Sequence, residues 1–432
     1  MVYRVRLIPS GIRVPWRWFQ PMPKISKILL LGVSVVLVLV VFLGANSSGV
    51  SAASEPQEGA YRQINVYSEV LRHIQTDYVE EPNIPEVTNG ALRGLLESLD
   101  ADSSYLSPED YKTYKANKGG TAQVGINVSK RYGYATVVSV IPGSPADKAN
   151  LNDGDIIEAI NGKDTRDLSL VVIRLMLEGQ PGSQLSLSVI RPRRATPEKI
   201  DLTRVATAIP PVAETLYENS TILYLKPEQL DHEHVQQIEA KLKAMPKAGN
   251  RKVLLDLRDV AAGDMGEATR LANFFLKTGT IAMLEGQKVA KQTFTADPSK
   301  TVNATAPLVV LVNRGTAGSG ELVAAALLEN HRADLVGEKT FGEGAQQKTF
   351  ELGDGSALIL SVAKYESPSG KKLQDDGVMP GVLVASNIDD GGPAEDESAP
   401  TTEAQPAPAP KQGVSIDDQL NKGLELLKNK AA

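Results

Sequence analysis

Residues 311–347 read LVNRGTAGSGELVAAALLENHRADLVGEKTFGEGAQQ, and the order of residue types in this stretch decides the fold. The aliphatic run Leu308–Val312 predicts a buried strand. A tight turn of small residues follows, and then Leu322–Leu328, apolar on nearly every side, predicts a buried helix. Leu335–Val336 predicts a second short strand, and a Gly-rich turn ends at Gln347. Strand, tight turn and helix in this order are where α/β enzymes expose a nucleophile, because the turn pushes one side chain out beside unpaired backbone N–H groups at the helix start.

The stretch resembles the segment of the carboxyl-terminal processing (tail-specific) serine proteases that reads N-x-G-S-A-S-A-S-E and, further on, T-F-G-K-G-x-x-Q. Asn313, Gly315, Ala317, Glu321, Thr340, Phe341, Gly342, Gly344 and Gln347 match that pattern. The resemblance implies a nucleophilic serine and a general-base lysine, and it lays these on Gly320 and Glu343. It also implies an oxyanion turn, D-L-R-x-N-P-G-G, which here reads Asp256-Leu257-Arg258-Asp259-Val260-Ala261-Ala262-Gly263. The expected fold is therefore a multidomain α/β protein with a ClpP/crotonase-like peptidase core, in which nucleophile, base and oxyanion motif have all been altered.

Glycine carries no nucleophile, and a carboxylate lacks the neutral amine that takes the hydroxyl proton in a Ser-Lys dyad. Losing either group typically costs a hydrolase on the order of a millionfold in turnover. Ser319, between Gly318 and Gly320, has two readings. It is a displaced nucleophile, or it is the N-cap of the following helix with Glu321 in the first turn. A step of one residue rotates a helical side chain by about 100°, which aims this hydroxyl away from the family's base.

Outside this segment, composition narrows the function classes. The chain has 432 residues, 42% of them hydrophobic, enough for two or three cores. It has no cysteine, which excludes disulfides and thiolate chemistry. A net charge of −6, spread evenly after the amino terminus, argues against a nucleic-acid partner. Asp231-His232-Glu233-His234 reads as a solvated helix start rather than a metal site, since nothing supplies a third ligand. No metal and no cofactor are expected.

In chain order, residues 1–27 form a basic leader and residues 28–45 an uncharged apolar run. Together they predict export with the amino terminus in the cytosol, either as a retained inner-membrane signal anchor or as a signal cleaved near Val50-Ser51-Ala52. Residues 61–115 predict a helical unit. Its second half, from Leu92 through Ser98-Leu99-Asp100 to Tyr105-Leu106, is similar to the family's helical leader. Residues 116–203 change to short β-type runs and are similar to a bacterial PDZ domain. Such a domain adds a ligand strand to a sheet edge. A carboxylate-binding loop is expected at Val124, Gly125, Ile126 and Asn127, with Val171, Val172 and Leu175 facing either the ligand pocket or the core. Residues 206–386 carry the α/β core, with strands expected at Thr221–Leu225, Val253–Leu257, Leu308–Val312 and Leu358–Val362. Residues 387–412 have the composition of a disordered linker. In the last segment, residues 413–432, a helix puts Leu420, Leu424 and Leu427 on one face, to dock on the body or on a neighbour.

Three functions fit this reading. The chain is a non-catalytic, membrane-anchored scaffold whose PDZ domain binds protein carboxyl termini; or a working serine endopeptidase with an unorthodox nucleophile; or a structural partner in a homo-oligomer or with an active relative.

Overall fold

The computed structural model describes residues 32–34, 56–116, 122–192, 196–206, 208–385 and 417–430. The basic leader, nearly all of the expected anchor and the 387–412 linker lie outside them. Among the described residues no helix is long and apolar enough to cross a membrane. The chain divides after Pro82 into two units.

In the first unit, α1 (Pro56–Asp77) leaves Tyr61, Ile64, Val66, Tyr67 and Val70 exposed. The second unit opens with α2 (Ile84–Glu97), whose N-cap Asn83 accepts the Glu86 N–H at 3.3 Å. The helical pattern expected to run on to residue 115 is interrupted. The Asp100 carboxylate accepts the N–H groups of Asp102 (3.0 Å) and Ser103 (2.6 Å), and this turn starts a short strand, β1 (Ser104–Leu106), before α3 (Pro108–Ala116).

The PDZ segment forms one antiparallel sheet from β2 (Ile126–Arg131), β3 (Tyr134–Val140), β4 (Ile156–Ile160), β5 (Lys163–Asp164), β6 (Gln184–Ile190) and β7 (Glu198–Thr203), with helices α4 (Pro145–Lys148) and α5 (Leu170–Leu177). Along β6 burial alternates, so Leu185, Leu187 and Val189 enter the core while their neighbours face out. The order is β2-β3-β4-β6-β7, which leaves β2 at an edge, with no strand on its outer side among the described residues. Val124 is core, and its carbonyl accepts the Ala146 N–H at 3.0 Å. Gly125 is required as glycine: its φ is +86° and a Cβ there would lie 2.1 Å from that of Ser144. Of the two readings of α5, the structure selects the apolar contact. Val171, Val172 and Leu175 pack on Leu106, Tyr111, Ala357 and Ile359, so none of them lines a ligand pocket.

The core contains β8 (Ala213–Tyr217), β9 (Ile222–Lys226), α6 (His232–Ala248), β10 (Lys252–Asp256), α7 (Met265–Phe275), β11 (Thr280–Glu285), β12 (Gln292–Thr295), β13 (Leu308–Val312), α8 (Ser319–Glu329), β14 (Asp334–Gly337), β15 (Ala345–Glu351), β16 (Ala357–Glu366) and β17 (Val382–Leu383), followed by α9 (Asp418–Asn429). One sheet runs β17-β14-β13-β10-β9-β8, parallel except at β8. Its central strand β13 is buried at every position, as a strand covered on both faces must be. Helices α6, α7 and α8 cover one face through Leu223, Leu255 and Val310. The other face, with Tyr224, Leu254 and Leu311, is covered by Leu420, Leu424 and Leu427 of α9, so the last segment docks on its own body. Asp417 seals that dock by pairing with Arg258 at 2.9 Å.

Two expectations are corrected. The Leu358–Val362 run does not join the parallel sheet. It lies in β16, whose alternating burial suits the one-sided antiparallel sheet β1-β16-β11-β12, with β15 also on β16. The Asp231–His234 segment is a helix start, but of its two histidines only His232 is solvated. His234 is buried, with its ring nitrogens 2.6 Å from Asp231 Oδ1 and 2.9 Å from the Pro210 carbonyl oxygen.

Candidate active site

The tight turn after β13 is fixed by one buried amide. Asn313 Oδ1 accepts the N–H groups of Asp259 (3.0 Å) and Gly315 (3.1 Å), while its Nδ2 donates to Asp259 Oδ1 at 2.8 Å. The Ala317 N–H donates to the Val260 carbonyl at 2.9 Å. The turns at 256–260 and 313–317 are thereby joined, which brings the altered oxyanion motif beside the start of α8.

A second buried group joins that helix start to the Gly-rich loop. Glu321 is fully buried, and its Oε2 accepts the N–H of Gly318 at 3.0 Å and that of Glu343 at 2.8 Å. Its Oε1 accepts from Gly342 N–H at 2.8 Å and from the Thr340 hydroxyl. Burial pushes this carboxyl up to about 7, against the lowering effect of those donors. One oxygen thus holds positions 318 and 343 as neighbours, a role that sequence alone assigned only to a helix dipole.

This geometry corrects the position laid on Gly320. A Cβ on Gly320 would point into the protein, 2.9 Å from the Val260 carbonyl oxygen and 2.9 Å from Thr316 Cγ2. A Cβ on Gly318 would meet only Met265 Cε, at 3.9 Å. Gly318 has φ +54° and ψ −108°, the strained backbone of a nucleophile-bearing turn, and it is also the N-cap of α8. Ser319 is therefore the first helical residue and not the cap. It is 3% exposed, and its Oγ donates to the Ala262 carbonyl at 3.3 Å. A carbonyl oxygen cannot take a proton from a hydroxyl, so this contact does not activate it. The same Ala262 carbonyl also accepts the Leu230 N–H at 3.0 Å.

The sequence profile of peptidase family S41 matches residues 221–384, and a PDZ-domain profile matches residues 136–191. The chain is 31% identical over 372 residues to the carboxyl-terminal-processing protease of Synechocystis sp., covering 82% of this chain and 86% of the relative. It is 35% identical over 300 residues to the protein of the same name from Picosynechococcus sp., covering 68% and 72%. The chain belongs to the carboxyl-terminal processing proteases of family S41. Among solved structures, the photosystem II D1 C-terminal processing protease shares its fold, with a TM-score of 0.63 at 24% identity over 74% of this chain and 92% of that one.

In this family member the turn at the start of α8 and the groove beside β2 share one cavity of about 320 Å³. Ile126, Asn127 and Val128 of the free edge of β2 line one side, and Ala262, Gly263 and Glu343 line the other. Arg174, on α5, stands between them. Its guanidinium donates to the Val128 carbonyl at 3.1 and 3.3 Å and lies 3.5 Å from the Glu343 carboxylate. Behind Glu343 sits Asp102, 4% exposed, which accepts from Gln374 Nε2 at 3.1 Å. Burial, and then the Glu343 charge, push its carboxyl up to about 6. Gln347 holds the same segment through a 2.6 Å bond from Nε2 to the Asp102 carbonyl.

Four of these residues carry no assignment from sequence: Asp102, Arg174, Gly318 and Gln374. Arg174 had a signal, being the one charge in the apolar run Leu170–Leu177. Asp102 and Gln374 lie far apart in sequence and meet because β1 pairs with β16 while Leu373 N–H donates to the Tyr365 carbonyl of β16.

Proposed function

We propose that this chain is a non-catalytic member of the carboxyl-terminal processing protease family that binds protein carboxyl termini in its PDZ groove and serves as a membrane-tethered scaffold or adaptor in a bacterial cell envelope. One observation carries the reading. The open position of the strained turn is Gly318, which has no hydroxyl, and the neighbouring position is the carboxylate Glu343, while the edge of β2 beside them is free. A cleft with no nucleophile and no amine base retains a place to add a strand.

The site assignment follows the same geometry. Gly318, Glu343 and Gln347 mark the relict catalytic positions, Ala262 and Gly263 the relict oxyanion turn, and Gly125, Ile126 and Asn127 the start of the peptide groove. The basic leader and apolar run at 1–45 support the tether. Apolar residues exposed on α1, such as Tyr61 and Ile64, support association with a second copy or an active relative.

Two measurements test the proposal. Titration calorimetry with peptides ending in an apolar residue should show micromolar-range binding that weakens markedly when the terminus is amidated, because a carboxylate gains charge-assisted bonds that an amide cannot. Incubation with unfolded casein and a fluorophosphonate probe should give neither cleavage nor labelling. Time-dependent cleavage lost in Ser319→Ala would establish the endopeptidase reading instead.

A further inference from the structure

The cavity shared by the groove and the relict cleft has an uneven charge distribution. Arg174 is the one cation among the described residues that line it, facing Glu178 and Glu343. Neither member of the Arg174–Glu343 pair is sealed from solvent: their side chains are 41% and 26% exposed. An ion pair this open is weak, so a competing carboxylate can exchange with it.

Arg174 also occupies a defined level of the groove. A ligand whose terminal carboxylate sits at Gly125–Ile126 can follow the free edge of β2 only toward Arg131, so it runs antiparallel to that strand. At about 3.3 Å per residue, the third ligand residue from the end lies beside Val128. The Val128 carbonyl is the edge acceptor that Arg174 now caps. The guanidinium, the vacant strand position and the carboxylate of Glu343 therefore meet at one point.

We propose that Arg174 is the specificity-determining residue of the groove, that it selects peptides carrying an acidic side chain at the third residue from a free carboxyl terminus, and that Glu343 stands in for that side chain when no ligand is bound. The inference rests on the groove reading given above. It assigns the carboxylate at the relict base position a use: an internal competitor that holds Arg174 oriented and sets a threshold for ligands.

The test uses the full-length protein in mild detergent and two fluorescein-labelled ten-residue peptides. Both end in valine with a free carboxylate and differ only in Glu or Gln at the third residue from the end. By fluorescence anisotropy the Glu peptide should bind about 3- to 10-fold tighter than the Gln peptide. Glu343→Gln, which removes the competitor at constant volume, should tighten the Glu peptide a further ~2- to 5-fold. Arg174→Gln should erase the discrimination, so that the Glu and Gln peptides bind within about 2-fold of each other. Equal binding of both peptides to the unmodified protein, discrimination that survives Arg174→Gln, or weaker Glu-peptide binding in Glu343→Gln each overturns the inference. In those cases the groove reading still stands if the free terminus outcompetes its amide. If no peptide binds any variant, the groove reading falls and takes this inference with it.

Discussion

Placing a serine in the turn before α8 tests the geometry of the site most directly, because Gly318 and Gly320, on either side of Ser319, make opposite predictions. At Gly318 a serine Cβ meets nothing closer than 3.9 Å, and the cost is the backbone. A non-glycine residue at φ +54° and ψ −108° is strained by ~1–3 kcal/mol. At Gly320 the backbone is helical, but the new Cβ would lie 2.9 Å from the Val260 carbonyl oxygen, which also accepts the Ala317 N–H. Overpacking of that kind costs ~1–3 kcal/mol, and here it also separates the two turns that build the site. The companion change, Glu343→Lys, supplies the amine and loses the bridge to Arg174, while the buried Asp102 offsets the new positive charge. The expected result is slow labelling by a fluorophosphonate in Gly318→Ser with Glu343→Lys, and none in Gly320→Ser with Glu343→Lys. The rate should remain far below that of an intact enzyme. The turn that the resemblance lays on the oxyanion motif reads Ala262-Gly263 in place of Gly-Gly, and losing one oxyanion donor costs about 100- to 1000-fold. Melting by far-UV circular dichroism, with both variants folded, secures the comparison. Labelling of the Gly320 variant and not the Gly318 variant would refute the reasoning.

Further outcomes are expected. Glu321 and Asp102 both have folded-state values raised above their ordinary values of 4.5 and 3.8, to about 7 and about 6. The stability they contribute is therefore fully present below those ordinary values and is lost as pH rises through the raised ones. Melting temperature should fall as pH rises from about 4 to about 7, with half of the Glu321 contribution lost near pH ~6, midway between its ordinary and raised values, and Glu321→Gln should flatten the profile; an unchanged profile contradicts the assignment. Gly315→Ala would put a Cβ 2.6 Å from Asp259 Oδ1 and 2.9 Å from the Val138 carbonyl oxygen of the PDZ sheet, so protease nicking near residues 314–316 should accelerate relative to the unmodified protein. Leu427→Ala, at a fully buried position under the parallel sheet, should cost ~2–5 kcal/mol and release α9 to proteolysis without changing peptide affinity. Ile126→Glu puts a carboxylate at a 6% exposed position of the PDZ core, so it should lower the melting temperature as well as abolish binding of free-carboxylate peptides, as measured by scanning and titration calorimetry.

Local sequence determined a large part of this protein. The unbroken aliphatic run of β13 dictates a strand buried on both faces, and Leu420, Leu424 and Leu427 dictate a helix with one face to cover. The motif residues from Asn313 to Gln347 point to the peptidase fold and to a missing nucleophile and base, since glycine and glutamate cannot do that chemistry in any fold. The tertiary structure decided what depends on direction. Whether Gly318 or Gly320 faces the cleft turns on one backbone φ and on where Val260 lies in space, and a residue string carries neither. Val171, Val172 and Leu175 were equally suited to a pocket or a core, and the choice was made by β1 and β16, distant in sequence, which pack against that side of α5. Glu321 looked like a dipole-compensating first-turn acid until the loop at 340–343 wrapped over it. A side chain's chemistry is local, but its partners are set by long-range packing, and that packing brought Arg174, Glu343 and Asp102 together.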